Sequence, residues 1–165
     1  MTRASPRLSL TVQYAAAGDD LPGRASLRRW VRAALAQAAP SATITLRFVD
    51  EAEGRALNRR FRSCNRPTNV LSFVYDDEPS TYGGDIVLCV PVLRREAAAQ
   101  GKPLAAHCAH LVVHGTLHLQ GADHEDPAEA ARMEARETAI LARLGFSDPY
   151  APMTSAAGSP RGSAR

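Results

Sequence analysis

Two short runs near the start of the chain alternate between apolar and polar residues. Leu8, Leu10, Val12 and Tyr14 alternate with Ser9, Thr11 and Gln13, and Ile44, Leu46 and Phe48 alternate with Thr43, Thr45 and Arg47. A period of two turns one side of each run toward a core, so both are expected to be half-buried strands. Between them the period changes. After a loop over residues 18–23, Leu27, Trp30, Val31, Ala34, Leu35 and Ala38 recur at helical spacing, with Ser26 as the expected N-cap and Pro40 as the stop.

The second half of the pattern is mostly helical. Asp50 followed by Glu53 resembles a capping box, with Asp in the usual place of Ser or Thr, and predicts a helix over residues 51–62. Residues 70–75 are expected to form a third strand, Gly83-Gly84 a turn, and the apolar run 86–90 a central strand covered on both faces. Pro91 opens a short helix that Gly101 ends. Residues 104–120 are apolar almost all round, as in a buried helix. Asp126-Pro127-Ala128-Glu129 supplies a cap, an N1 proline and an N3 glutamate for a last helix, which carries Met133, Ile140, Leu141 and Leu144 and ends at Gly145.

The predicted order is β-α-β-α-β-β-α-α-α. It implies an α+β fold: one domain over residues 1–150, with a small mixed sheet of about four strands packed against several helices. Residues 151–165 are rich in Ala, Ser, Gly and Pro without an apolar period, and are expected to be a disordered tail.

Composition adds little to the fold but bears on partners. The net charge is only +3, yet its positive side consists of 19 arginines and the single Lys102. Arginine offers a planar fork of donors that matches phosphate, although genome base composition can produce the same bias. Cys64, Cys89 and Cys108 are odd in number and form no CxxC pair, which suits a reducing compartment. The N-terminus carries no apolar leader segment, and no stretch approaches the ~18 apolar residues of a membrane span. A cytoplasmic location without membrane attachment is expected.

All five histidines lie between residues 107 and 124. On a helix, His114 and His118 stand one turn apart on one face. Gly121 can take the left-handed conformation that ends a helix and let the chain bring His124 back toward them. Three neutral imidazoles suit Zn2+, one per chain, and leave a fourth position for water, the pattern of a catalytic zinc site. His107 and His110 share the same face and are expected in supporting or core positions. Asp123 is a candidate to orient a ligand imidazole or to hold the turn. The spacing H-x3-H-x2-G-x2-H is that of metzincin proteases, a zincin-like His-rich helix, but the glutamate that serves those enzymes as general base is Gly115 here.

Between Gly54 and Tyr75 there is no acidic residue, while Arg55, Arg59, Arg60, Arg62 and Arg66 fall in this stretch. On a helix Arg55, Arg59 and Arg62 share one face, with Leu57 and Phe61 opposite. Pro67-Thr68-Asn69 follow as turn residues whose side chains suit phosphate or sugar oxygens. A basic face beside a hydrolytic metal site favours a phosphodiester substrate.

Leu57-Asn58-Arg59-Arg60-Phe61-Arg62, Pro67-Thr68-Asn69-Val70-Leu71-Ser72-Phe73, Gly84-Asp85-Ile86 and the run from His114 to His124 resemble the bacterial YbeY family across residues 8–150. That resemblance implies a metal-dependent endoribonuclease that cleaves single-stranded RNA and matures the 3′ end of small-subunit ribosomal RNA. It also implies zinc on His114, His118 and His124 and a functional arginine at Arg62. Implied partners are ribosomal RNA, a small-subunit ribosomal protein and the assembly GTPase Era. Where the family usually carries a Lys-Asp pair, this chain has Ser63-Cys64-Asn65-Arg66.

The expected division of labour follows. The metal activates a water or polarises a phosphate oxygen, and Arg62 neutralises charge building on the phosphorane-like transition state. Arg55 and Arg59 hold the RNA backbone, and Thr68, Asn69 and Ser72 line the cleft. Asp85 either supports the site or serves a turn. The general base is unassigned, and the attacking group is either water or the adjacent 2′-OH. Two rival readings are a zinc peptidase, which the missing glutamate disfavours, and a non-catalytic ribosome assembly factor with a structural metal.

Overall fold

The computed structural model describes residues 7–16, 18–35, 41–62, 69–74, 81–121 and 126–151; of Phe61, Arg62, Val74 and Thr81 it describes the backbone alone. Among the described residues four strands and five helices follow in the expected order: β1 (Arg7–Tyr14), α1 (Arg24–Ala34), β2 (Ser41–Val49), α2 (Glu51–Arg62), β3 (Val70–Val74), β4 (Thr81–Cys89), α3 (Val90–Gln100), α4 (Leu104–Leu119) and α5 (Pro127–Arg143). The expected tail lies outside the described residues from 152 onward.

The sheet runs in the order β1-β2-β4-β3. β1, β2 and β4 are parallel, and β3 pairs antiparallel with β4 at one edge. The alternation read from the sequence decides what each face meets. Ile44, Leu46, Phe48, Ile86 and Leu88 point into a large cluster with residues of α1, α4 and α5. Leu71, Val87, Cys89 and Val49 point the other way, toward Leu57 of α2 and Val92 of α3. β4 is covered on both faces, which is why residues 86–89 are all apolar and buried.

Three expectations need correction. Gly83-Gly84 is not a turn; β4 runs straight through both glycines. A Cβ on Gly84 would collide with the Phe73 backbone oxygen and with Leu119, so the missing side chain lets β3 and α4 close onto β4. Ser26 does not cap α1. The N-cap is Gly23, with no side-chain hydrogen bond, and Ser26 lies in the first turn. The same helix leaves helical geometry at Leu35, short of Ala38, which lies outside the described residues.

The other boundaries follow their chemistry. Asp50 accepts a hydrogen bond from the Glu53 amide at 2.8 Å, and Asp126 accepts one from the Glu129 amide at 2.8 Å. Gly101, Gly121 and Gly145 all take positive φ just after a helix. Along the outer edge, Arg24 and Arg28 of α1 donate to the carbonyls of Val12 and Leu8 in β1, each at 3.3 Å. Two arginines thus occupy acceptors that an edge strand otherwise leaves open.

Candidate metal centre

α4 is buried over most of its surface, including Cys108, Leu111, Val112, Val113, Thr116 and Leu117. Its histidines follow the helical repeat along one side. His107 is 3% exposed, the His110 side chain 13% and the His114 side chain 22%, so the row opens toward solvent as it approaches the helix C-terminus. The rings of His114 and His118 lie 4.6 Å apart at 79°, close enough to converge on one ion. Beyond them Gly121 has φ of 95°, the left-handed conformation expected of it at the helix end. Gln120 fixes this helix end by donating to Ala34 and Thr116 carbonyls at 2.7 and 3.0 Å.

Glu137 of α5 meets this row of histidines. Its side chain is fully buried. One carboxylate oxygen accepts from His114 Nδ1 at 2.6 Å. The other accepts from His110 Nε2 at 2.9 Å and from the Tyr150 hydroxyl. Burial pushes the carboxyl up, but these three donors outweigh it and hold the group down at about 2. Burial, then the hydrogen bond and charge of Glu137, push the Tyr150 phenol far above its ordinary value, so it remains a donor.

An ionised carboxylate only accepts hydrogen bonds, so the proton of the neutral His114 ring sits on Nδ1. Nε2 then carries the lone pair, the tautomer a metal ligand needs. The donor set fits zinc as far as it is described: two adjacent imidazoles, one of them oriented by a carboxylate. Among the described residues no third metal-ligating side chain joins them. The expected third ligand, His124, and its neighbour Asp123 lie outside the described residues.

Other expected site residues fall in several places. Ser72 pairs with Ile86, whose side chain packs on Gly115 of α4. Alternation therefore places Ser72 on the sheet face that carries the histidine helix. Asp85 pairs with Phe73 and Thr45, and so belongs to the opposite face, covered by α2 and α3. It does not stand beside His114. The Asn69 amide donates to Glu96 at 3.1 Å, and Glu96 also holds His107 Nε2 at 2.8 Å. Asn69 is thus tied into the support of α4. Arg62 ends α2, but its side chain and Thr68 lie outside the described residues.

The arginine excess divides into structural and available parts. Arg47 is held by Glu53 at 2.7 Å, and Arg94 by Asp20 at 2.6 Å. Glu51 approaches both Arg55 and Arg95, at 3.5 and 3.3 Å. Arg59 is exposed on α2. The basic face of this helix is therefore present but partly neutralised at Arg55 by Glu51, one turn earlier.

Glu137 was legible in principle. It sits four residues after Met133 and three before Ile140, a lone carboxylate within the apolar stripe of α5. His110 hydrogen-bonds Glu137, and buried His107 hydrogen-bonds Glu96. Buried Cys108, whose thiol burial pushes up to about 12, and buried Cys89 are inert core residues, as expected.

The geometry can be set beside known proteins. The family model described as Endoribonuclease YbeY matches residues 19–145. A protein of Aromatoleum aromaticum named Endoribonuclease YbeY is 57% identical over 151 residues, spanning 90% of this chain and 96% of its own length. One of the same name from Thiobacillus denitrificans is 54% identical over 147 residues, spanning 88% and 98%. The solution structure of TM1509 from Thermotoga maritima is similar with a TM-score of 0.55 at 23% identity, covering 86% of this chain and 99% of that one. At that identity the likeness shows a shared fold and no more.

Proposed function

Because the chain belongs to the endoribonuclease YbeY family, we propose that it is a zinc-dependent endoribonuclease specific for single-stranded RNA. In this reading it acts in maturation of the 3′ end of small-subunit ribosomal RNA and in ribosome quality control, in the cytoplasm. No helix among the described residues is long and apolar enough to cross a membrane. The partners that fit are ribosomal RNA, a small-subunit ribosomal protein and the assembly GTPase Era.

The observation that carries the reading is the hydrogen bond from His114 Nδ1 to Glu137, one helical turn from His118. A buried carboxylate that sets the tautomer of an imidazole is the usual outer support of a metal ligand. His114, His118 and His124 hold one zinc per chain, which when bound supplies Lewis acidity and an acidified water. Arg62 neutralises charge on the phosphate as it is attacked. Arg59, with Arg55, holds the RNA backbone, Ser72 and Thr68 line the cleft, and Asn69 steadies it through Glu96. Gly115 packs on Ile86 in the core, which leaves this chain without a metzincin-type base at that position.

The test is cleavage of an end-labelled RNA with a single-stranded tail, with wild type and His114→Ala purified in parallel. Cleavage by the wild type alone is expected. A 2′,3′-cyclic phosphate end identifies the 2′-OH as nucleophile, and a 3′-hydroxyl opposite a 5′-phosphate identifies water. Equal cleavage by both proteins contradicts the proposal.

A further inference from the structure

We propose that Glu137 is the positioning residue of the metal centre and that it sets how tightly the chain holds zinc. The inference rests on the reading of His114 and His118 as ligands and adds a residue that neither the histidine spacing nor the basic face points to.

Three observations carry it. First, Glu137 sits where an apolar residue is expected. α5 packs through Met133, Ile140 and Leu141, and Glu137 lies among them, fully buried. An ionised carboxylate in such a place costs several kcal/mol unless its oxygens are satisfied, so a side chain of this kind is an unfavourable choice for packing alone. Second, its two oxygens are divided between tasks. One is given wholly to His114 Nδ1 at 2.6 Å, a short separation of the kind a charged acceptor favours. Third, the other oxygen is clamped by two donors, His110 of α4 at 2.9 Å and the hydroxyl of Tyr150, which follows α5. Tyr150 is itself held by Asp148, which accepts from its amide at 2.8 Å. The carboxylate therefore cannot rotate away from His114 without breaking its bonds to His110 and Tyr150.

The consequence is chemical. The imidazole arrives with Nδ1–H fixed, Nε2 basic and its plane set before any metal binds. The ordering that a free histidine undergoes on binding is already complete. Loss of such outer partners typically weakens metal binding by roughly 10- to 100-fold.

The test compares full-length wild type with Glu137→Gln and His114→Ala. Zinc affinity is read by competition with a chromophoric chelator, and the visible spectrum of the cobalt(II) form reports ligand geometry. We expect Glu137→Gln to bind zinc about 10- to 100-fold more weakly, with an altered cobalt spectrum and a cooperative unfolding transition retained in the zinc-free protein. Unchanged affinity and spectrum in Glu137→Gln, with binding lost in His114→Ala, overturns this inference and leaves the metal reading intact. Zinc binding that persists in His114→Ala overturns the metal reading and this inference with it. A measurement independent of how the variant folds is the long-range 1H–15N spectrum of the histidine rings in zinc-free wild type at pH 8. His114 as the Nδ1–H tautomer is expected, and the Nε2–H tautomer overturns the inference.

Discussion

Gly115 of α4 rests against Ile86 of β4, so closely that a Cβ on the glycine would come within 3.0 Å of Ile86 Cγ2. Ile86 is fully buried and has little room to retreat. Gly115→Ala sets a gain of about 1 kcal/mol in helix propensity against an overpacking cost of about 1–3 kcal/mol. A net loss of about 1 kcal/mol is expected in urea unfolding. Gly115→Glu places a charge at the same contact and is expected to give no cooperatively folded protein, so restoring a metzincin glutamate does not create a peptidase.

Gly84 is tighter still, because the atoms facing it include the Phe73 backbone oxygen, which cannot turn aside as a side chain does. Gly84→Ala forces β3 away from β4 or α4 away from both. A loss of about 3 kcal/mol is expected from overpacking of this kind, checked by the denaturant midpoint. Because β3 carries Ser72, RNA cleavage is expected to fall further than the folded fraction does.

Gly84 marks where the sequence misleads. Gly83-Gly84 carries the composition of a turn, and a glycine needed for close approach looks the same as one needed for a bend. The capping acids were plainer, since Asp50 and Asp126 each stand three residues before a glutamate whose amide they bind. The histidine row was legible because the helical repeat forces His107, His110, His114 and His118 onto one side. Glu137 was missed among the acids of α5, although its place between Met133 and Ile140 breaks the apolar stripe. Asp85, expected either to support the site or to serve a turn, lies within β4, and its nearness in sequence to Ile86 says nothing of the face it takes. Strand alternation sends the two side chains to opposite sides of the sheet.

His107 gives a pH dependence of stability. Burial pushes its pKa below the usual 6.5, against its hydrogen bond to Glu96, which raises it. The unfolded chain therefore takes up a proton before the folded one does. The contribution of neutral His107 is complete above about pH 6.5 and is lost as the pH falls from there through the lower folded value. His107→Gln is expected to show a smaller drop in urea midpoint between pH 7.5 and pH 5.5 than the wild type. An equal or larger drop counts against the assignment.

Arg59 and Arg55 are expected to differ in their effect on RNA binding. Glu51 lies 3.5 Å from Arg55 and shares its charge, whereas Arg59 is exposed a turn further on. Arg59→Ala is expected to weaken binding of a single-stranded RNA more than Arg55→Ala does. It is also expected to reduce the slope of log affinity against log salt by about 0.7, the value for one phosphate contact to a single strand. Fluorescence anisotropy over a salt series measures both.

The most direct measurement is a zinc titration of metal-stripped wild-type protein, with zinc content and cleavage of an end-labelled single-stranded RNA followed in the same samples. Cleavage is predicted to rise in proportion to bound zinc, to reach its plateau at one equivalent per chain, and to stay at background in His114→Ala. Full cleavage by the stripped protein, or one equivalent of bound zinc without any cleavage, contradicts a zinc-dependent nuclease built on His114 and His118.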